Sequence, residues 1–245
     1  MLIQHTSDIT YLTIPSFTAT GLVKHCFTAR PLNLRKNLRQ NFEPVCNTLK
    51  IDSSRLVFSN QLHGDKYRMA TETDAGMAIL EECDSLITKT PNLPICTFYA
   101  DCVPLFFLDP VQKIIALTHS GWRSTLAEIG RKTVERLISL GSCADDILAG
   151  IGPSIGPCHF EVENDVADKF STLFGSTIRN QISETKAYID LWTICATQLI
   201  QAGVSEKNIT LANRCTYCEE ELFHSFRRDG APTGHMVAIM QLEEN

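Results

Sequence analysis

Between residues 97 and 118 the chain runs through three short apolar stretches in close succession, 97–100, 103–108 and 114–118, each rich in β-branched or aromatic residues. A centre of this kind commits the chain to a sheet, because such side chains fit a pleated, buried surface. Further strand-like runs lie at 9–14, 22–28, 56–60, 147–151, 209–212 and 236–240. Helical spacing appears at 41–50, at 164–174 and at 191–202, the last with Asp190 as its cap and Gly203 as its stop. The clearest helix follows residue 119. Leu126, Ile129, Val134, Leu137 and Ile138 fall on one face, Ser124 or Thr125 can cap it, and Gly141 ends it. Strands and helices mix without strict alternation, which points to an α+β fold with mixed sheets rather than a doubly wound nucleotide fold.

With 245 residues, 44% of them hydrophobic, the chain can build one sizeable core and is short for two, so a single domain over 1–245 is expected. A formal net charge of -6 argues against non-specific binding to nucleic acid or to an anionic membrane, and an anionic small substrate would need local arginines. No apolar run approaches bilayer length and the start of the chain lacks a basic-then-apolar pattern, so a cytoplasmic location is expected; oligomeric state stays open. The ten cysteines are spread over a chain whose core needs no staples, and reduced thiols are the better reading. Cys26, Cys96, Cys143 and Cys195 sit in apolar or helical patterns and read as core. Cys215 and Cys218 form one CxxC without a visible second pair, and read as a turn with its thiols packed inside.

Three possible ligands stand where apolar strands give way to polar or glycine turns: His63, Cys102 and His119. Strand ends can present side chains to one cleft. Two imidazoles and a thiolate suit zinc, and three protein ligands leave a fourth position for water or substrate. By spacing alone these residues also read as two satisfied histidines and a small buried thiol. Arg123 lies near the start of the helix after His119, where the dipole, free N–H groups and a forked guanidinium could hold a phosphate. The Gly152 to Pro157 loop allows close backbone approach to a ligand, or is simply a tight turn.

The strings Asn60-Gln61-Leu62-His63-Gly64, Ala100-Asp101-Cys102-Val103-Pro104, His119-Ser120-Gly121-Trp122-Arg123, Ile151-Gly152-Pro153-Ser154-Ile155-Gly156-Pro157-Cys158, Cys215-Thr216-Tyr217-Cys218 and Ser225-Phe226-Arg227-Arg228-Asp229-Gly230 run in order to the C-terminus. Together they resemble the YfiH-like family, whose members are also called laccase-domain or polyphenol oxidase proteins, purine nucleoside phosphorylases and peptidoglycan editing factors. The resemblance implies zinc on His63, Cys102 and His119, a β-sandwich-like core flanked by helices, and phosphorolysis of adenosine, inosine and methylthioadenosine, with adenosine deamination beside it. The implied partners are a nucleoside and phosphate. Three places depart from the family's pattern: the stretch Thr28-Ala29-Arg30-Pro31-Leu32-Asn33-Leu34 is shorter and lacks glycines, Ser124 follows Arg123, and Gly234-His235 stands where Gly-Arg is usual.

For such chemistry Arg123, with Arg228 and Lys66, would complete an anion pocket, and Asp101 or Asn60 could hydrogen-bond purine or ribose. Asp101 could instead carry a proton, as the non-ligand carboxylate of zinc deaminases does, or merely orient a ligand. Arg227 and Arg228 also read as solvated charges or as partners of Glu219, Glu220 and Glu221. A different enzyme class would use Cys102 as nucleophile and His119 as base, or a zinc hydroxide, in an amidase acting on a UDP-muramyl cell-wall precursor. A non-catalytic alternative is a metal-stabilised binding protein whose fourth position His159 or His25 closes. Copper chemistry of the laccase type fits poorly, since the seven histidines include no His-X-His pair.

Overall fold

The computed structural model describes residues 1–33, 38–76 and 79–244, with 38–40 described by their backbone alone. In chain order the strands are β1 (Leu2–His5), β2 (Thr10–Thr13), β3 (Val23–Thr28), β4 (Val57–Ser59), β5 (Tyr67–Met69), β6 (Ile79–Leu80), β7 (Ser85–Thr88), β8 (Ile95–Tyr99), β9 (Val103–Asp109), β10 (Ile114–Ser120), β11 (Leu148–Ile151), β12 (Glu161–Glu163), β13 (Arg179–Gln181), β14 (Lys186–Ile189), β15 (Ile209–Leu211) and β16 (Met236–Leu242). The helices are α1 (Pro15–Thr18), α2 (Leu38–Leu49), α3 (Trp122–Leu126), α4 (Ile129–Ser139), α5 (Asn164–Phe174), α6 (Leu191–Gln201) and α7 (Phe226–Asp229).

One sheet runs β1-β2-β3-β16-β8-β4-β6, a second β15-β11-β9-β10-β7-β5, and a small third one β12-β14-β13. The pairing is mixed: β9 with β10 and β3 with β16 are antiparallel, β4 with β8 and β11 with β15 parallel. The two large sheets face each other, and strict alternation along their strands decides what each side chain meets. On β9, Phe106 and Leu108 enter the core between the sheets, while Val103, Leu105 and Phe107 enter a second core under the helices; β10 divides Ile115 and Leu117 from Ile114 and Ala116 in the same way. On β16, Met236, Ala238 and Met240 point between the sheets, whereas Val237 and Ile239 point outward to Phe42, Val45 and Cys46 of α2. That double burial explains why the central strands read as unbroken apolar runs. Burying each Phe or Leu contributes roughly 1.5–3 kcal/mol. The expected α+β fold, a sandwich-like core flanked by helices, is the one found.

Several local expectations change. His119 is not past the end of its strand but inside β10, and the helix after it starts at Trp122 with Gly121 as N-cap, not at Ser124 or Thr125, which are buried within α3. Glu128, at φ 57°, then breaks the segment into α3 and α4, and Ile138 ends up 41% exposed rather than on the buried face. Gly141, at φ 107°, does end the helix. Cys143 is exposed, not core. His25 is buried with Nε2 accepting from the Ile14 amide, so it is spent inside the first sheet and cannot close a metal's fourth position. In the glycine-poor stretch, Arg30 donates to His224 Nδ1 and to the Glu220 carbonyl; Leu34 lies outside the described residues. Among the described residues no helix is long and apolar enough to cross a membrane.

Candidate metal centre and its cleft

β4 ends at Ser59 and delivers His63 through the turn Asn60-Gln61-Leu62; Cys102 sits in the turn between β8 and β9; His119 is the penultimate residue of β10. The Gln61 amide donates to the Phe98 carbonyl and accepts from the Phe98 amide, at 2.8 Å each, so a side chain continues the β4–β8 pairing and fixes the turn. One ligand atom from each of His63, Cys102 and His119 lies within 4.8 Å of the other two. The imidazoles of His63 and His119 meet edge-on with centroids 4.9 Å apart. The expected convergence is therefore present, with His119 buried, Cys102 half-buried and His63 open to the cleft.

Asp84, just before β7, binds the site together. Its carboxylate accepts from the backbone N–H groups of Leu62, His63 and Gly64 at 3.2, 3.0 and 2.7 Å and lies 2.8 Å from His119 Nδ1. These bonds hold His63 at φ 60°, a left-handed backbone that an unsupported histidine adopts at a cost. They also assign Nδ1–H of His119 to the carboxylate, leaving Nε2 for a metal, the usual arrangement around ligating histidines. Burial by itself would raise the Asp84 carboxyl, but the His119 contact and the backbone N–H groups outweigh it and hold it below its ordinary range. Burial likewise works against a Cys102 thiolate, yet the charge of His119 and hydrogen bonds from His119 and His63 win and push the thiol down. His119 moves the other way. Burial disfavours its charge, but Cys102 and Asp84 together push it up. The chemistry of this donor set, a readily formed thiolate beside two imidazoles with one of them oriented from behind by a carboxylate, fits a divalent metal with an open position.

Gly121 is what lets the ligands close up. A Cβ there would lie 2.6 Å from His63 Cδ2 and 3.3 Å from Cys102 Sγ, while its φ of -72° is available to any residue. Gly121→Ala should therefore leave the backbone unstrained but push the His63 ring aside. Metal affinity measured by chelator competition should fall at least ~10-fold, with far-UV circular dichroism unchanged; an alanine variant that holds metal as tightly as wild type would refute this steric account.

The centre opens on a cleft of about 640 Å³. Asn60, Asp101 and Arg123 line it as the sequence suggested. Arg123 is exposed, stacked with its guanidinium 4.2 Å from the Trp122 ring. Asp101, at φ 89°, is a brace: its carboxylate accepts from Thr216 Oγ1 at 2.6 Å and from the Arg227 amide at 2.7 Å. Both oxygens being engaged, it favours the positioning role over the proton carrier. Two expected substrate contacts do not line the cleft. Lys66 pairs with Glu82 at the surface, and Arg228 is turned inward, donating to the carbonyls of Thr216, Tyr217 and Phe223 and to Asp229. Arg227 takes the place given to Arg228. His159 is likewise not a fourth ligand here, since it stacks on Tyr217 in a separate cluster with Cys158, Cys215 and Cys218.

Sequence reasoning missed Asp84, Ser59 and the aromatic wall. Asp84 stands just before Ser85-Leu86-Ile87-Thr88, a stretch too short and mixed to mark a strand, so the sequence carried no clear signal for it. Ser59 lines the cleft with a buried hydroxyl that has no partner among the described residues, and Phe98 stacks on Phe58 at 5.7 Å and 16° beside it. His235, the departure from Gly-Arg, also lines the cleft.

Comparison with known proteins places the chain in a family. Residues 32–243 match the family described as multi-copper polyphenol oxidoreductase laccase. A protein of Bacillus subtilis named purine nucleoside phosphorylase YlmD is 32% identical over 214 residues, 84% of this chain and 77% of that one. A protein of an unknown prokaryotic organism named adenosine deaminase RL5 is 35% identical over 196 residues, 76% of this chain and 74% of its own. The crystal structure of YlmD from Geobacillus stearothermophilus superposes with a TM-score of 0.90 at 28% identity, covering 99% of both chains. That of the Bacillus licheniformis hypothetical protein YfiH gives 0.90 at 30% identity, covering 98% of this chain and 99% of the other. With its matched motifs, its fold and its site, the chain belongs to this laccase-like family, that of the YfiH-like proteins.

Proposed function

We propose that the chain is a zinc-dependent purine nucleoside phosphorylase acting on adenosine, inosine or methylthioadenosine, in the cytoplasm, as one domain over residues 1–245. The observation that carries the reading is the His63, Cys102 and His119 set at the floor of a cleft with an arginine at its rim and an aromatic wall. The names of the relatives support the reaction class, and ten free cysteines support a reducing compartment.

His63, Cys102 and His119 would hold the zinc, which when bound would supply Lewis acidity toward the phosphate. The rest falls to the chain. Arg123, with no hydrogen-bond or carboxylate partner among the described residues, offers its fork to the remaining phosphate oxygens, and stacking on Trp122 holds it flat for that purpose. The exposed Asn60 side chain lines the cleft and is placed for ribose hydroxyls or purine edge atoms, with Ser59 beside it, its hydroxyl buried in the wall. Phe98 and the half-exposed Phe226 give the base a surface to stack on, while Ile155, Phe160 and Leu191 exclude water from a bond whose cleavage is oxocarbenium-like. Arg227, tied to the Glu161 carbonyl at 2.9 Å, and Asp101, tied to Thr216, keep that wall in place.

The test is phosphate-dependent release of adenine from adenosine, before and after chelation and on Arg123→Ala. Chelation should abolish release and added Zn2+ restore it; Arg123→Ala should raise the KM for phosphate about 10- to 100-fold while metal content stays. Phosphorolysis that survives complete metal removal would end the proposal.

One observation favours a second reading. Asp84, His119 and Cys102 make a carboxylate, imidazole and thiolate in line, the layout of a Cys-His amidase that would act on a cell-wall precursor. His63 speaks against it, because a nucleophilic thiolate needs no second imidazole on its sulfur. Amide hydrolysis unaffected by chelation is the result that would favour it.

A further inference from the structure

On the far side of Asp101 from the metal centre, two loops distant in sequence come together. The loop after β11 carries Cys158 and His159; the turn before α7 carries Cys215 and Cys218. Ligand atoms of all four lie within 4.8 Å of one another. Cys158 Sγ and Cys218 Sγ are 3.6 Å apart, and His159 Nδ1 is 3.2 Å from the first and 3.3 Å from the second. A tetrahedral ion with Zn–S near 2.3 Å and Zn–N near 2.0 Å has S···S edges of roughly 3.8 Å and S···N edges of roughly 3.6 Å. Cys158, His159 and Cys218 thus already stand at nearly the spacing of one face of a Cys3His cage, with Cys215 Sγ within 4.8 Å of each. Burial and the neighbouring thiols push Cys158 up to about 12 and Cys218 upward as well, so the thiols stay protonated until a cation takes their protons' place, and polar contacts hold the cluster in shape. The Gly156 amide donates to Cys215 Sγ at 3.2 Å, Tyr217 stacks on the His159 ring with centroids 3.9 Å apart, and Arg228 brings its charge to the turn by donating to the carbonyls of Thr216 and Tyr217. At Gly156 a Cβ would fall 3.2 Å from Cys215 Cβ and 2.9 Å from Trp192, so a glycine is needed for the loops to approach.

We propose that Cys158, His159, Cys215 and Cys218 form a second metal site, a closed four-ligand structural zinc site that staples the 154–160 loop to the 214–229 segment. With four protein ligands no position remains for substrate, so its role is to hold the backbone. What it holds is the substrate side of the cleft: Thr216 braces Asp101 next to Cys102, and Arg227 reaches back across the staple to the carbonyls of His159 and Glu161. The lone CxxC of the sequence finds its missing pair in Cys158-His159, 57 positions upstream by residue number, which is why no local spacing motif betrayed it.

The experiment is metal stoichiometry by plasma mass spectrometry on the full chain, followed by titration of chelator-stripped protein with Co2+. Wild type should hold two ions per chain. His63→Ala/His119→Ala should keep one, with the intense sulfur-to-cobalt absorption of a multi-thiolate tetrahedral site, and Cys218→Ser, at an exposed position that can change without unfolding the chain, should weaken that ion while sparing the first. In the His63→Ala/His119→Ala protein, chelation should still lower the thermal midpoint. A wild-type chain holding a single ion, all of it lost in His63→Ala/His119→Ala, overturns the proposal, as does a Cys158–Cys218 disulfide persisting in protein loaded with metal under reducing conditions. Both outcomes are read without any substrate, so they stand apart from success or failure of the phosphorylase assignment.

Discussion

Alanine in place of His119 should empty the proposed metal centre and, on the phosphorylase proposal, lower phosphorolysis of adenosine by on the order of 10³-fold or more, because the metal and the geometry it imposes are lost together. The substitution removes one of three ligands, and the two left, one of them an exposed His63, cannot hold an ion in a cleft open to solvent. The fold should survive. β10 is paired along its length with β9 and to β7, and the apolar residues on both its faces are untouched. The cost is a small cavity and a weakened Asp84, whose carboxylate keeps the amides of Leu62, His63 and Gly64. The measurement is metal content beside phosphate-dependent adenine release, with circular dichroism as the control for folding. Adenine released at the wild-type rate from a protein short of one ion would show that the reaction runs elsewhere.

Sequence alone revealed the strands that are long and buried on two faces. β9, β10 and β16 read as apolar runs because each contributes to two cores, and the helices α5 and α6 were marked by amphipathic spacing, α6 also by Asp190, which does accept from the Thr193 amide at 3.0 Å. What escaped were β1, β5, β6, β7 and the small β12-β14-β13 sheet: apart from the two-residue β6 they are no shorter than β4 or β15, but polar and charged residues within or beside them break up the apolar run by which those two were read. The ligands were legible through motif resemblance, and in space they do converge. Roles that depend on where a long side chain turns were not. Arg227 and Arg228 are adjacent and identical in type, yet a single turn of α7 sends one to the cleft and the other into a set of carbonyls. Lys66 and Asp84 were separable only once β5 and β7 were seen side by side, because that pairing carries Lys66 outward to Glu82 and brings the Asp84 carboxylate under His63 and His119.

Asp84→Asn should weaken metal binding about 10- to 100-fold and destabilise the fold by ~1–3 kcal/mol, though the side chain touches no metal. A carboxylate offers only acceptors, and here it meets only donors: three backbone N–H groups and His119 Nδ1–H. An amide of the same shape must turn its NH2 toward one side. Facing Leu62 and Gly64, it opposes fixed amides and releases the turn that holds His63 at positive φ; facing His119, it demands an acceptor at Nδ1 and so moves the ring's proton to Nε2, the atom the metal needs. Either way one ligand is lost to the wrong geometry or the wrong tautomer. Asp101→Asn provides the contrast. Its partners are a hydroxyl that can rotate to donate or accept and one backbone amide, so an asparagine can satisfy both, and metal affinity should stay within about threefold of wild type. Chelator competition on the two variants separates the cases: a large loss at 84 with little at 101 is expected, and equal losses would mean that orientation of His119 from behind is not what secures the ion.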